Sequence, residues 1–222
     1  MQKFDTPAAI SAVLDIPAGR IQVIAADRAD TTVEVRPATA DKGRDVKAAE
    51  QTTVEFGDGV LRITTPVGKN QILGPSGSVE VTIQLPAGSR IDGKAAAAEF
   101  RGVGRLGDVA FEGAHGAVKI DEAASVRMAA YGDVAVGRLT GPAEIKTQKG
   151  DIHIAEATSG AVVLHTQMGN VTVGAAQGVS ASLNAGTGHG RIDNALKNTE
   201  GAAAGLSIHA TTEYGDITAS SL

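Results

Sequence analysis

A glycine, a variable small or polar residue, and then two apolar residues separated by one other form a phrase that recurs through the second half of this chain. It reads GAVKI from Gly116, GDVAV from Gly132, GDIHI from Gly150, GNVTV from Gly169, GRIDN from Gly190 and GDITA from Gly215. Aligning those glycines gives successive spacings of 16, 18, 19, 21 and 25 residues, near the range of solenoid repeats. The alternation after each glycine has the period of a strand with one buried face. Val134 and Val136, Ile152 and Ile154, and Val171 and Val173 are assigned inward, with Ala135, His153 and Thr172 outward.

A second alternating segment precedes each glycine: VRMAAYG, EIKTQKG, VLHTQMG and IHATTEYG. Val126 with Met128, Ile145 with Thr147, and Leu164 with Thr166 share its inward face, leaving Arg127, Lys146 and His165 outside. The two strands are joined by small-residue turns, GRLTGP from Gly137 and EATSG from Glu156. A unit of two five-residue strands is too small to bury its own apolar face, so it must stack on copies of itself. Residues 105–219 are expected to form about five coils whose equivalent strands pair in parallel, a β-solenoid. The alternative is an antiparallel meander closed into a sandwich or barrel. Its hairpins favour Asn-Gly or Asp-Gly, whereas this chain writes Gly-Asp, which supports the solenoid.

The first hundred residues are β-rich but less regular. AISAVLDI, RIQVIAA, TTVEVRP, TTVEF, VLRITT, SVEVTIQL and SRIDG read as strands, and FGDGV from Phe56 as a hairpin. Pro-Ala-Gly ends a strand and restarts another in both LDIPAGRIQV from Leu14 and IQLPAGSRIDG from Ile83. VGKNQILGPSGS from Val67 reads as a loop, and TADKGRDVKAAEQ from Thr39 as holding one helical turn. The expected division is a β-rich capping region at residues 1–95 and solenoid repeats at 96–222, forming one continuous unit.

The ordered combination of VEVTIQLPAGS, a small-residue segment and iterated G-D-[VI]-x-[VI] with GPAEIKT-like second strands resembles a bacterial candidate-adhesin, β-strand-repeat family of unknown function. The resemblance runs from the FDTP opening to the EYGDIT close and is strongest from Ser78 to Gly174. It implies a right-handed parallel β-helix-like fold and an adhesin label. It supplies no catalytic residues.

Composition narrows the function classes. Twenty-five acidic and 20 basic residues give a net charge of −5 without a long block of one sign, so no footprint for nucleic acid or an anionic membrane exists. The absence of cysteine removes thiolate nucleophiles and cysteine-based metal sites. No run approaches the ~18 apolar residues of a membrane helix, and Asp5, Pro7 and Asp15 interrupt what a signal peptide would need. As written the chain reads as cytoplasmic, or as cell-surface if a leader has been removed.

A direct search for chemistry yields little. His115, His153, His165, His189 and His209 are the nitrogen ligands, and outward positions on different sheets point apart. Asp133, Asp151 and Asn170, each following a glycine, would stack at one corner, where a carboxylate row can hold Ca²⁺. Asp and Asn also serve such turns locally by bonding nearby backbone N–H groups, and Ala117 above and Arg191 below interrupt the row. These three are the candidate metal positions, with the turn role preferred.

Polysaccharide chemistry would require paired carboxylates and aromatic platforms, but the six Phe and Tyr residues read mostly as isolated. NAGTGHGRID from Asn184 lacks the lysine and following helix of a phosphate loop. No catalytic residue or cofactor is assigned. The expected function is a non-enzymatic binding or adhesion module for a protein or envelope glycan, as a monomer or small closed oligomer. A self-assembling scaffold is the alternative, and a carbohydrate-active enzyme a remote third.

Overall fold

The structure is a computed structural model and describes residues 1–66 and 77–222. The fold is all-β, with one α-helix among the described residues, as the alternation demands. Its contacts divide into two compact units, Met1–Gly116 and Ala117–Leu222.

In the first unit the strands are β1 (Gln2–Asp5), β2 (Ser11–Asp15), β3 (Ala18–Ala26), β4 (Asp30–Pro37), β5 (Thr53–Gly57), β6 (Val60–Thr64), β7 (Val79–Pro86), β8 (Arg90–Lys94) and β9 (Ala97–Ala114). β2 lies between β6 and β8, and β3 between β7 and β9, all in parallel. Antiparallel pairs flank this core: β5 with β6, and β4 with both β7 and β1. The FGDGV hairpin forms as expected, with Asp58 at φ 51° and Gly59 at φ 74°, the two positive values a type I′ turn requires.

Both Pro-Ala-Gly segments are strand junctions, one joining β2 to β3 and the other β7 to β8. The second is closed by buried Ser89, whose hydroxyl donates to the Pro86 carbonyl at 2.7 Å while accepting the Ile10 N–H at 3.0 Å. The single expected helical turn is instead α1 (Gly43–Gln51), since an Ala, Lys, Glu and Gln-rich run propagates once nucleated. Its buried Asp45 accepts the Ser78 N–H at 3.0 Å, which docks the helix. The loop expected from Val67 falls almost wholly on 67–76, outside the described residues.

The second unit comprises β10 (Val118–Ala130), β11 (Val134–Leu139), β12 (Ala143–Lys149), β13 (Ile152–Ala157), β14 (Gly160–Met168), β15 (Val171–Ala175), β16 (Ala181–His189), β17 (Ile192–Ala195), β18 (Leu206–Tyr214) and β19 (Ile217–Ser221). All strand pairs among its described residues are parallel. Val118, Val134, Ile152, Val171 and Ile217 occupy one column, each at most 1% exposed. The expected inward residues are buried, and His153 is exposed. Burial of this ladder is the main source of stability for strands that cannot fold singly.

The coils do not stack in chain order. β18 lies between β14 and β16, and β19 between β15 and β17, so the last coil in sequence inserts between the two coils that precede it. Chain-order stacking of the glycine column is therefore corrected at its end: Gly215 follows Gly169, and Gly190 comes last. No described helix is long and apolar enough to cross a membrane.

Candidate functional site

The repeated corner is where sequence-predicted positions meet. Asp133, Asp151 and Asn170 do form a row, held by hydrogen bonds between coils rather than within each turn. The Asp151 N–H donates to Asp133 Oδ1 at 2.9 Å and the Asn170 N–H to Asp151 Oδ1 at 2.7 Å. The inserted coil extends the row, since the Asp216 N–H donates to Asn170 Oδ1 at 2.9 Å. Arg191 ends it by donating its N–H to Asp216 Oδ1 at 2.8 Å and its guanidinium to Oδ2 at 3.2 Å. The Arg191 N–H, then its guanidinium, holds the Asp216 carboxyl below the ordinary carboxylate range. Arg191 thus stands below Asp216 and not directly below Asn170, which corrects the expected interruption.

A second ladder runs beside it. The hydroxyls of Thr147, Thr166, Thr212 and Thr187 donate to the carbonyls of Gly132, Gly150, Gly169 and Gly215 in the neighbouring coil, at 2.9–3.0 Å. Threonine therefore occupies an inward column among Val, Ile and Leu without leaving a hydroxyl unpaired. The glycines allow the approach. A Cβ at Gly169 would lie 2.1 Å from the Gly150 oxygen, and one at Gly215 would lie 2.0 Å from the Gly169 oxygen. Both have φ +153°, a backbone region that favours glycine. The T-x-x-G-[DN] phrase is therefore a docking code between coils.

This bonding accounts for the Asp and Asn row by backbone capture. Among the described residues no group of three His, Asp or Glu side chains is arranged to hold a metal ion. The histidines do not converge: His153 and His209 are exposed, half-buried His165 pairs through Nδ1 with the Thr211 hydroxyl at 2.9 Å, and His189 stacks on Tyr214.

The residue just before each corner glycine was not singled out from sequence, yet it builds the most distinctive surface of this unit. Tyr131, Lys149, Met168, Tyr214 and His189 occupy this position in five successive coils and are all exposed. Lys149 is in register with Met168, Met168 with Tyr214, and Tyr214 with His189. Both tyrosines of the protein stand here, Tyr131 at 43% and Tyr214 at 55% exposure, with Met168 at 49%. The Tyr214 and His189 rings are parallel, 4.7 Å apart with 5° between planes. The aromatics are thus less isolated than expected, and buried Phe100 and Phe111 also pair at 4.9 Å. The signal was present in the glycine alignment, one column to its left.

In the first unit, a cleft of about 430 Å³ is lined by Arg20, Glu80, Glu99 and His115, among others. Arg20 lies 3.5 Å from Glu80 and 3.2 Å from Glu99, so its charge is shared between exposed carboxylates, an arrangement of small energetic weight.

Comparison with solved structures finds similarity over almost the entire length at very low identity. A candidate cell adhesion protein from Clostridium sporogenes is 12% identical, with a TM-score of 0.37 and coverage of 100% of this chain and 98% of the other. A candidate adhesin from Bacteroides fragilis is 12% identical, with a TM-score of 0.46 and coverage of 98% and 95%. A candidate lipid binding protein from Parabacteroides distasonis is 10% identical, with a TM-score of 0.45 and the same coverage. No curated protein matches the chain. The match of the Toastrack DUF4097 family model to residues 14–221 includes every corner described above, and the chain belongs to that family.

Proposed function

We propose that this chain is a non-enzymatic binding module that presents its corner stripe to a protein partner. The scaffold is read as a right-handed β-solenoid, the hand favoured for connections between parallel strands. The observation that supports the reading is the stripe itself: Tyr131, Met168 and Tyr214 are large and exposed at the same position of their coils, with Lys149 between the first two. Docking between coils uses the threonine, glycine and Asp or Asn positions of the T-x-x-G-[DN] phrase, and the residue just before the glycine is left exposed. Amphipathic aromatics and methionine at an exposed position suit an interface. A protein partner fits better than an envelope glycan, because sugars dock on open ring faces and one face of Tyr214 is covered by His189.

The test places a photo-crosslinking phenylalanine derivative at Met168 and, as control, at exposed Ser207 in the full chain within the native host. A discrete protein adduct is expected from position 168 only, and Tyr131→Ala with Tyr214→Ala should abolish it. Equal labelling from both positions, or an adduct indifferent to the tyrosines, would refute the stripe. Purified peptidoglycan fragments should leave tyrosine emission unchanged. Since the protein has no Trp and both its tyrosines lie on the stripe, a saturable change would replace the protein partner with a glycan.

A further inference from the structure

Because the last coil in sequence lies inside the stack of the second unit, the coil of β16 and β17 forms its outer edge. Among the described residues β17 pairs with β19 alone and β16 with β18 alone, so each leaves one row of backbone groups without a strand partner, of which the Ala181 N–H is taken by the Lys197 carbonyl at 3.0 Å. Ile192 extends the column of Val134, Ile152, Val171 and Ile217, all at most 1% exposed, yet is itself 47% exposed. All four residues of β17 are exposed. β16 spans nine residues without Lys, Asp, Glu, Arg or Pro, the residues natural sheets use to blunt an edge. Beyond Ala181, an edge of that composition is suited to pairing.

The geometry points to a second copy of this chain as its occupant, joined across a two-fold axis through Ile192 with the two β17 strands antiparallel. The sequence Arg191-Ile192-Asp193 is self-complementary in that register. Ile192 faces Ile192 of the second copy, while each Arg191 faces the other copy's Asp193, a favourable cross-strand charge pair. Arg191 already contacts Asp216, but a guanidinium carries five N–H donors and can bridge two carboxylates. Moving the axis to Asp193 would oppose two like charges. Head-to-tail continuation of the parallel stack would require an acceptor after Gly190, where Arg191 supplies a donor instead. The two-fold contact uses the same patch on both copies and therefore closes as a dimer.

The absence of cysteine makes the test clean. Sedimentation equilibrium of the full chain over a concentration series should show mass rising from one chain to two and stopping there. Ile192→Cys should oxidise to a disulfide-linked dimer, because directly opposed antiparallel residues have Cβ atoms ~4.5–5.5 Å apart, within small adjustment of disulfide geometry. Val163→Cys, exposed on another strand, should not. Asp193→Arg turns two symmetry-related attractions into repulsions and should weaken association roughly tenfold, with Arg191→Asp added to it restoring the dimer. Circular dichroism melts confirm that each variant is folded. A mass fixed at one chain at all concentrations overturns the inference, as does open-ended growth. A dimer that Ile192→Cys does not link and Asp193→Arg does not weaken overturns it equally.

Discussion

Replacing Ile152 by alanine tests the register on which every assignment in the second unit rests. Ile152 is fully buried, and its in-register neighbours Val134 and Val171 are at most 1% exposed. The truncation removes three carbons, for which transfer alone costs about 2.4 kcal/mol at ~0.8 kcal/mol each. Collapse of the cavity is limited, because backbone hydrogen bonds fix Val134 and Val171 in adjacent strands. The cavity contribution should therefore bring the total to about 3–4 kcal/mol, within the usual range for such a change. With a urea slope of ~2–3 kcal/mol/M, the midpoint followed by circular dichroism should fall by roughly 1–2 M. His153, exposed on the opposite face of the same strand, should change stability by about 0.5 kcal/mol or less when replaced by alanine. A histidine variant more damaged than the isoleucine variant would refute the reasoning, since a one-residue slip exchanges the two faces.

Thr166→Val keeps the shape but removes the hydroxyl that donates to Gly150, so thermal melts should show a loss of about 1 kcal/mol. Gly169→Ala should lose considerably more, because its Cβ would meet the Gly150 oxygen and its φ of +153° is strained for alanine; an unchanged melt would contradict the close-packed corner. Acid titration tests Asp30, whose carboxyl Arg28 and then Lys3 hold down to about 2 from an ordinary value of 3.8. Its folded value lies below the unfolded one, so its contribution is present above about pH 4 and is lost as pH falls towards 2; Asp30→Asn should flatten that limb. Addition of a chelator should leave the β-sheet circular dichroism unchanged, and its loss would return Asp133, Asp151 and Asn170 to consideration as a metal site.

Much of the second unit was legible because its code is local. Alternation at Ile152, His153 and Ile154 decides which side faces inward whatever the neighbours are, and the glycine column marks the corners. Asp133, Asp151 and Asn170 were found as a row for the same reason. Their bonding partners were not, because a side chain that captures a backbone N–H 18 or 19 residues away leaves no mark distinct from a local turn. The stripe through Tyr131, Met168 and Tyr214 was missed because glycine drew attention and the column before it varies.

The order of coils is a different kind of information. Every coil offers its neighbours much the same ladder of β-branched residues, threonine hydroxyls and corner carbonyls, so periodicity specifies that coils stack but not which stacks on which. The tertiary structure decides this where β18 and β19 enter between earlier coils. Asn170 can accept from Asp216 and Asp216 from Arg191, whereas chain-order stacking would leave the Asp216 N–H facing an arginine with no acceptor to offer. The alternation of single residues determined the face each strand buries. The insertion of the last coil depended on donors and acceptors brought together from distant parts of the chain, and only the folded molecule contains that arrangement.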